Sequence, residues 1–206
     1  MKKNKKKVDK KKANVKETYH VCFLLDETGS MWATKDETMI SFNNYLDGIK
    51  KENNAAKTKF TLVKFNTLKV DKPYERIDLK NVKALTDKNY KPNACTNLYD
   101  AIGKVVSETE AKKNEKVLLV ILTDGEENSS KEYDKKGIKI LIEEKQKEGW
   151  QFVFLGVGID AYEEARKVGI QSAGSSTSRA GGMSSAGNVT CCFMRGGDTS
   201  NLDLNK

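Results

Sequence analysis

The 206-residue chain has only one histidine and two prolines, and it has no long hydrophobic run. No apolar stretch approaches the roughly 18 residues that a membrane-spanning helix needs. The lysine-rich start lacks the apolar middle section of a secretory signal, and Lys2 stands where N-myristoylation requires glycine. We therefore expect a cytoplasmic protein without a membrane span.

The sequence also lacks the motifs of zinc and nucleotide sites. The four cysteines, which have no zinc-site spacing, are Cys22, Cys95, Cys191 and Cys192. His20 alone cannot complete a zinc site, and we expect it to lie near the start of a strand. Free thiols are expected in a reducing compartment. There is no glycine-rich phosphate loop with Lys-Ser/Thr, and Gly156-Val157-Gly158 lacks the third glycine of a dinucleotide fingerprint.

The positive charge is concentrated at the N-terminus. Residues 1–18 carry a net charge of +7 of the chain's +8. The lysines of this arm include Lys2, Lys3, Lys5, Lys6, Lys7, Lys10, Lys11 and Lys12. Such a segment repels itself and has little apolar surface to bury, so we expect a disordered arm. It is either a solubilising tail or a contact for nucleic acid or another polyanion.

Strand-like apolar runs alternate with segments of helical spacing between residues 19 and 168. The predicted strands are 19–25, 60–65, 68–79, 117–122 and 150–155. The predicted helices are 35–52, 97–111, 134–148 and 160–168. This alternation predicts an α/β fold with a parallel sheet and helices on both faces. The segment 68–79 contains Pro73 and is therefore placed at a sheet edge.

The pattern weakens after residue 170. Residues 172–187 are rich in Ser, Gly and Ala, which is typical of a loop or flexible linker. Residues 189–194 fit either a last strand or part of a terminal helix. The predicted organisation is an arm at 1–18, a domain at 19–170, and an extension at 171–206 that either packs on the domain or does not.

Three polar segments fall at one end of the predicted sheet. They are Asp26-Glu27-Thr28-Gly29-Ser30-Met31, Ala94-Cys95-Thr96-Asn97-Leu98 and Thr123-Asp124-Gly125-Glu126. Two of them follow buried strands directly, and ligands of open α/β sheets bind beyond the carboxyl ends of the strands. The candidate metal ligands are Asp26, Thr28, Ser30, Thr96 and Asp124. Three hydroxyls and two carboxylates suit Mg²⁺, Mn²⁺ or Ca²⁺ better than zinc or copper.

These three segments, in this order, resemble the metal-ion-dependent adhesion site (MIDAS) of the von Willebrand factor A family. The resemblance covers residues 19–170, and Thr28 stands where the family usually has serine. It implies a doubly wound, Rossmann-like sheet that is mostly parallel with one antiparallel edge strand. It further implies that Thr28, Ser30 and Thr96 contact the metal while the two aspartates often act through water. The wider sequence is similar to compact intracellular members in bacteria and their viruses.

Several functions remain open at this point. A metal held mainly by hydroxyls, for which the resemblance implies Mg²⁺, predicts a module that binds an exposed Asp or Glu of a partner protein. A Mg²⁺-dependent phosphohydrolase with Asp26 as nucleophile would need an acid/base group two residues later, where the chain has Thr28. Each site residue alone could instead cap a helix or bond to backbone. Trp32 and Tyr99 flank the motif, and we expect both to pack in the fold.

Overall fold

The computed structural model describes residues 17–124, 127–157, 160–175 and 182–198. The strands are β1 Thr18–Asp26, β2 Thr58–Asn66, β3 Lys69–Asp78, β4 Glu115–Thr123, β5 Gln151–Gly156 and β6 Ala173–Ser175. The helices are α1 Lys35–Lys50, α2 Leu98–Glu108, α3 Lys135–Lys147, α4 Ala161–Lys167 and α5 Gly182–Met194. A 3₁₀ turn at Gly29–Trp32 connects β1 to the segment before α1.

The six strands form one sheet in the order β3-β2-β1-β4-β5-β6. All neighbouring strands are parallel except β2 and β3, which are antiparallel. This arrangement confirms the predicted fold class, including the antiparallel strand at the edge. Pro73 lies in β3, where the register with β2 shifts twice, so its missing N–H is tolerated.

Both faces of the sheet are covered by helices. In β1, the side chains of Val21, Phe23 and Leu25 pack on the face covered by α1 and α5. Cys22 and Leu24 point to the opposite face, which is covered by α2, α3 and α4. Because successive strand residues alternate between faces, a strand buried on both sides is apolar at nearly every position. The central strands β1 and β4 therefore hold the loops at their ends in fixed positions.

The structure corrects the prediction for the described part of residues 172–187. Instead of a loop or linker, Ala173–Ser175 form β6, which extends the sheet beside β5, and residues 182–187 begin α5. The ambiguous residues 189–194 are helical, and α5 packs on α1 through Val189, Phe193 and Met194. Helix α5 is rich in small residues and shows no clear apolar periodicity, because its burial comes from tertiary contacts. The fold thus continues past the predicted boundary at residue 170.

The remaining predictions concern the N-terminal arm, membrane-spanning helices and the cysteines. The lysines of the N-terminal arm, Lys2 to Lys12, lie outside the described residues. Within the described part, no helix is long and apolar enough to cross a membrane. All four cysteines are free thiols, and Cys22 is buried in the core.

Candidate metal centre

The two predicted aspartates leave the sheet side by side. Strands β1 and β4 are parallel neighbours, with Leu25 paired to Leu122. Asp26 is the last residue of β1, and Asp124 follows the last residue of β4. Because both strands end at the same edge, the loops that follow them meet above it. This edge is where open α/β sheets bind ligands.

A chain of polar contacts joins four of the five predicted ligands. Asp26 Oδ1 accepts a hydrogen bond from the backbone N–H of Thr28 at 2.7 Å. The hydroxyl oxygens of Thr28 and Ser30 are 3.1 Å apart. Ser30 Oγ donates to Asp124 Oδ1 at 2.7 Å. The alternation Asp-x-Thr-x-Ser therefore brings the Thr28 and Ser30 hydroxyls together, and Ser30 connects them to Asp124.

Thr96, the fifth predicted ligand, is held at the same edge by backbone contacts. The backbone N–H of Gly29 donates to the carbonyl of Ala94 at 2.9 Å, which brings the loop of Thr96 against the loop of Ser30. A Cβ atom on Gly29 would lie 3.2 Å from that carbonyl, so glycine permits the close approach. Ala94 itself adopts a left-handed conformation, with φ of 66°. That conformation costs free energy for a residue with a side chain, and the surrounding contacts maintain it.

Asn128 positions Thr96 from the other side. Its side-chain oxygen accepts from the backbone N–H of Thr96, and its own N–H donates to the carbonyl of Thr96, both at 3.3 Å. Glu127 stabilises the same connection, because its carboxylate accepts from the backbone N–H of Tyr99 in the first turn of α2. Glu127 and Asn128 therefore hold the segment that begins α2 against the segment after β4.

Two further buried residues support the metal loops and were not predicted. Thr123 donates its hydroxyl proton to Asp26 Oδ2 at 2.5 Å, which occupies the second carboxylate oxygen. Glu27 is buried and accepts from Lys64 Nζ at 2.8 Å and from the backbone N–H of Lys91 at 2.9 Å. Both lie in the quoted motifs, but only the tertiary structure supplies their partners. In the sequence, the lysine at position 64 within a largely apolar run was a signal of a buried acidic partner.

The electrostatics of the site are unfavourable for two anions. Burial raises the pKa of Asp26 to about 6, against the hydrogen bonds from Thr123 and Thr28, and the nearby Asp124 raises it further. Burial also raises the pKa of Asp124, although the Ser30 hydroxyl opposes this. Desolvation and like charge both disfavour the ionised forms. A cation between the loops would offset both effects.

The residues present fit a hard divalent cation. Neighbouring ligands on an octahedral Mg²⁺ shell of about 2.1 Å radius lie about 3.0 Å apart. The separation of 3.1 Å between the Thr28 and Ser30 hydroxyl oxygens matches that spacing. Since Ser30 donates its proton to Asp124, its lone pairs remain available to a cation. Among the described residues, no three His, Cys, Asp or Glu side chains cluster to hold a metal, so hydroxyls must contribute to such a site.

Fold and site together define a class: an α/β protein with a doubly wound sheet and an oxygen-rich ligand edge. The sequence model of the von Willebrand factor type A domain matches residues 20–186, which is most of the chain. The chain therefore belongs to the von Willebrand factor type A domain family. Members of this family often act as metal-dependent protein-interaction modules.

Solved structures share the fold at low sequence identity. Proximal thread matrix protein 1 from the mussel byssus, with a zinc-occupied MIDAS motif, has a TM-score of 0.62 and 17% identity, covering 85% of this chain and 46% of that protein. The PilB minor pilin of Streptococcus sanguinis has a TM-score of 0.62 and 13% identity, with coverage of 89% and 62%. A von Willebrand factor type A protein from Catenulispora acidiphila has a TM-score of 0.57 and 15% identity, with coverage of 87% and 43%.

These similarities establish the fold alone. The chain spans about half the length of the first of these structures, 46% for the mussel protein. A comparison with curated protein sequences found no match. The activity and partners of the whole relatives therefore do not transfer directly to this chain.

Proposed function

We propose that this domain is a metal-dependent protein-binding module whose MIDAS holds Mg²⁺ and captures an acidic residue of a partner protein. The observation that carries the proposal is the pairing of hydroxyl donors with carboxylate acceptors. Ser30 donates to Asp124, and Thr123 donates to Asp26, so the carboxylates are engaged by hydroxyl protons. Thr28, Ser30 and Thr96 would bind the metal directly, and Asp26 and Asp124 would stabilise it through water or through the hydroxyl ligands.

This arrangement leaves the metal electrophilic. Neutral hydroxyl ligands transfer less negative charge to a cation than carboxylates do, so the cation keeps a strong attraction for an external anion. Ser30 is exposed to solvent, whereas Asp26 and Thr28 are buried. The open side of the site therefore faces outward, where a partner carboxylate would arrive. Mn²⁺ or Ca²⁺ offers the same oxygen chemistry with different radii.

The geometry supports binding over hydrolysis. A phosphohydrolase that used Asp26 as nucleophile would need a free carboxylate oxygen directed at the substrate. Both oxygens of Asp26 already accept hydrogen bonds, and the side chain has no solvent exposure. Thr28 occupies the position where such an enzyme would need an acid/base group. We therefore propose that the domain is not an enzyme. Cytoplasmic location and a bacterial or viral source stay predictions from the sequence.

The first test measures metal affinity. Titration calorimetry with Mg²⁺ should give one site, and Asp124→Ala and Ser30→Ala should each weaken it more than tenfold, or about 1.4 kcal/mol. Asp47→Ala, which removes an exposed carboxylate from α1, is the matched control and should leave the affinity unchanged. Equal Mg²⁺ affinity in all four proteins would contradict the site.

The second test separates binding from catalysis. A Gly-Glu-Gly peptide with an acetylated N-terminus and an amidated C-terminus should bind in Mg²⁺ and not in chelator. The same peptide with Gln in place of Glu should not bind, since it then carries no carboxylate. Release of phosphate from p-nitrophenyl phosphate by wild type with Mg²⁺, lost in Asp26→Asn, would instead identify a hydrolase.

A further inference from the structure

Large apolar side chains are rarely exposed on this domain, and two of them adjoin the metal loops. Among the described residues, four are strongly exposed: Trp32, Ile40, Leu68 and Ile140. Trp32 is 64% exposed and Leu68 is 73% exposed. Packing was the expected role of Trp32, and this expectation is wrong. Exposed apolar side chains next to a polar binding site mark interaction surfaces more often than isolated ones do.

Trp32 is fixed beside the first metal loop. It ends the 3₁₀ turn that contains Ser30, and the preceding Met31 is fully buried and anchors the turn. One face of the indole is covered by Lys35, whose Nζ lies 4.7 Å from the ring centroid. Lys35 is itself held by Asp87 at 2.5 Å. The ring is therefore held in place while much of its surface stays in contact with solvent.

Leu68 is fixed beside the loop that carries Thr96. It lies in the tight turn between β2 and β3, where Asn66 Oδ1 accepts from the backbone N–H of Leu68 at 2.9 Å and of Lys69 at 3.1 Å. Thr67 joins the turn to Cys95, donating its N–H at 3.0 Å and accepting from the N–H of Cys95 at 3.2 Å. The turn is thus rigid, and it presents Leu68 outward.

We propose that the partner's acidic residue is flanked by apolar side chains, which pack against Trp32 and Leu68 when the carboxylate reaches the metal. This inference rests on the proposed function and adds the chemistry of the partner around its acidic residue. The metal would bind the partner's carboxylate, but it gives no preference for the residues that flank the acidic residue. Two apolar side chains supply that preference, and the turns that carry them are already held in place, so the backbone loses little conformational freedom on binding.

The magnitude follows from the behaviour of aromatic residues at interfaces. Truncation of a tryptophan that becomes buried in a complex commonly weakens binding by about tenfold or more. Leucine contributes less, so we expect a loss of about threefold to tenfold for Leu68→Ala. Neither side chain touches the hydroxyl and carboxylate chain described above, so Mg²⁺ affinity should not change.

The experiment compares two peptides, Leu-Glu-Phe and Gly-Glu-Gly, each with an acetylated N-terminus and an amidated C-terminus, by titration calorimetry on the full chain in Mg²⁺. Wild type should bind Leu-Glu-Phe at least about tenfold more tightly than Gly-Glu-Gly. Trp32→Ala and Leu68→Ala should reduce this difference and keep the wild-type affinity for Mg²⁺. Ile140→Ala is the matched control, because it removes an exposed apolar side chain from α3, and it should bind both peptides as wild type does.

The outcomes distinguish this inference from the function on which it rests. If both peptides bind with equal affinity, or if Trp32→Ala and Leu68→Ala bind Leu-Glu-Phe as tightly as wild type does, the apolar contact is refuted and the metal-dependent module stands. If neither peptide binds in a protein that binds Mg²⁺, the proposed function fails and this inference fails with it.

Discussion

His20 should make the stability of this domain strongly pH-dependent. Its imidazole is buried in β1 with 1% exposure, and its Nε2 lies 2.9 Å from Thr61 Oγ1. Arg76 Nη1 lies 2.8 Å from Nδ1. Because a guanidinium can only donate, Nδ1 must accept and Nε2 must carry the single proton. The contact with Arg76 is therefore available only to the neutral imidazole.

The pKa of His20 is lowered from 6.5 to about 4 in the folded protein. Burial is the largest cause, followed by the charge of Arg76, while Glu115 opposes the shift and Lys112 adds to it. Glu115 binds Arg76 with both carboxylate oxygens, at 2.7 and 2.9 Å, and so keeps the guanidinium in place. Protonation of His20 would place a second positive charge beside it.

The direction of the pH effect follows from the lowered pKa. Between about pH 6.5 and pH 4 the unfolded chain binds a proton on His20 that the folded protein does not bind, so stability falls as the pH falls through this window. Each pKa unit corresponds to 1.36 kcal/mol. A shift from 6.5 to about 4 therefore removes up to about 3 kcal/mol of the free energy of unfolding.

Chemical denaturation of wild type and His20→Gln, at intervals from pH 7.5 to pH 4.5 and in chelator, measures this contribution. Glutamine can accept from Arg76 and donate to Thr61, and it does not titrate. The variant should lose less stability than wild type on acidification, with the difference between them changing by about 2 to 3 kcal/mol over the window. Other groups titrate equally in both proteins and cancel. Parallel curves for the two proteins would refute the argument.

Three further predictions concern the site and its support. Burial raises the pKa of Asp26, so its ionisation lowers the free energy of unfolding as the pH rises through about 6. In the metal-free protein at pH 7.5, Asp26→Asn should therefore raise the free energy of unfolding by up to about 3 kcal/mol, measured by urea unfolding. The same variant should lose the rise in Tm that Mg²⁺ gives wild type, and a rise of equal size would contradict its role. Thr28→Asp should weaken binding of the acidic peptide, because an added carboxylate reduces the metal's attraction for an external one; unchanged peptide affinity in calorimetry would contradict this. A Cβ on Gly103 would lie 2.3 Å from the ring of Tyr133, so Gly103→Ala should lower the free energy of unfolding by about 1 to 3 kcal/mol, and wild-type stability would show that the ring moves freely.

The alternation of strands and helices could be predicted from the sequence because it is a local property. Strands β1 and β4 are continuous apolar runs, and α1 and α2 have apolar side chains at helical spacing. The short spacing of Asp26, Thr28 and Ser30 likewise places all three at the end of one strand, β1. Periodicity and motif spacing depend only on residues close together in the sequence, so both can be recognised without knowledge of the fold.

The tertiary structure decided everything that depends on contacts between distant segments. Residues 182–194 are rich in small side chains, and their helix is recognisable only where α5 packs against α1. Thr123 and Asn128 support Asp26 and Thr96 across separations of 97 and 32 residues. Trp32 could have packed inward or outward, since a tryptophan after a turn fits either environment. The order of the strands determines which loops lie above the same edge of the sheet, and therefore which distant residues come into contact at the site.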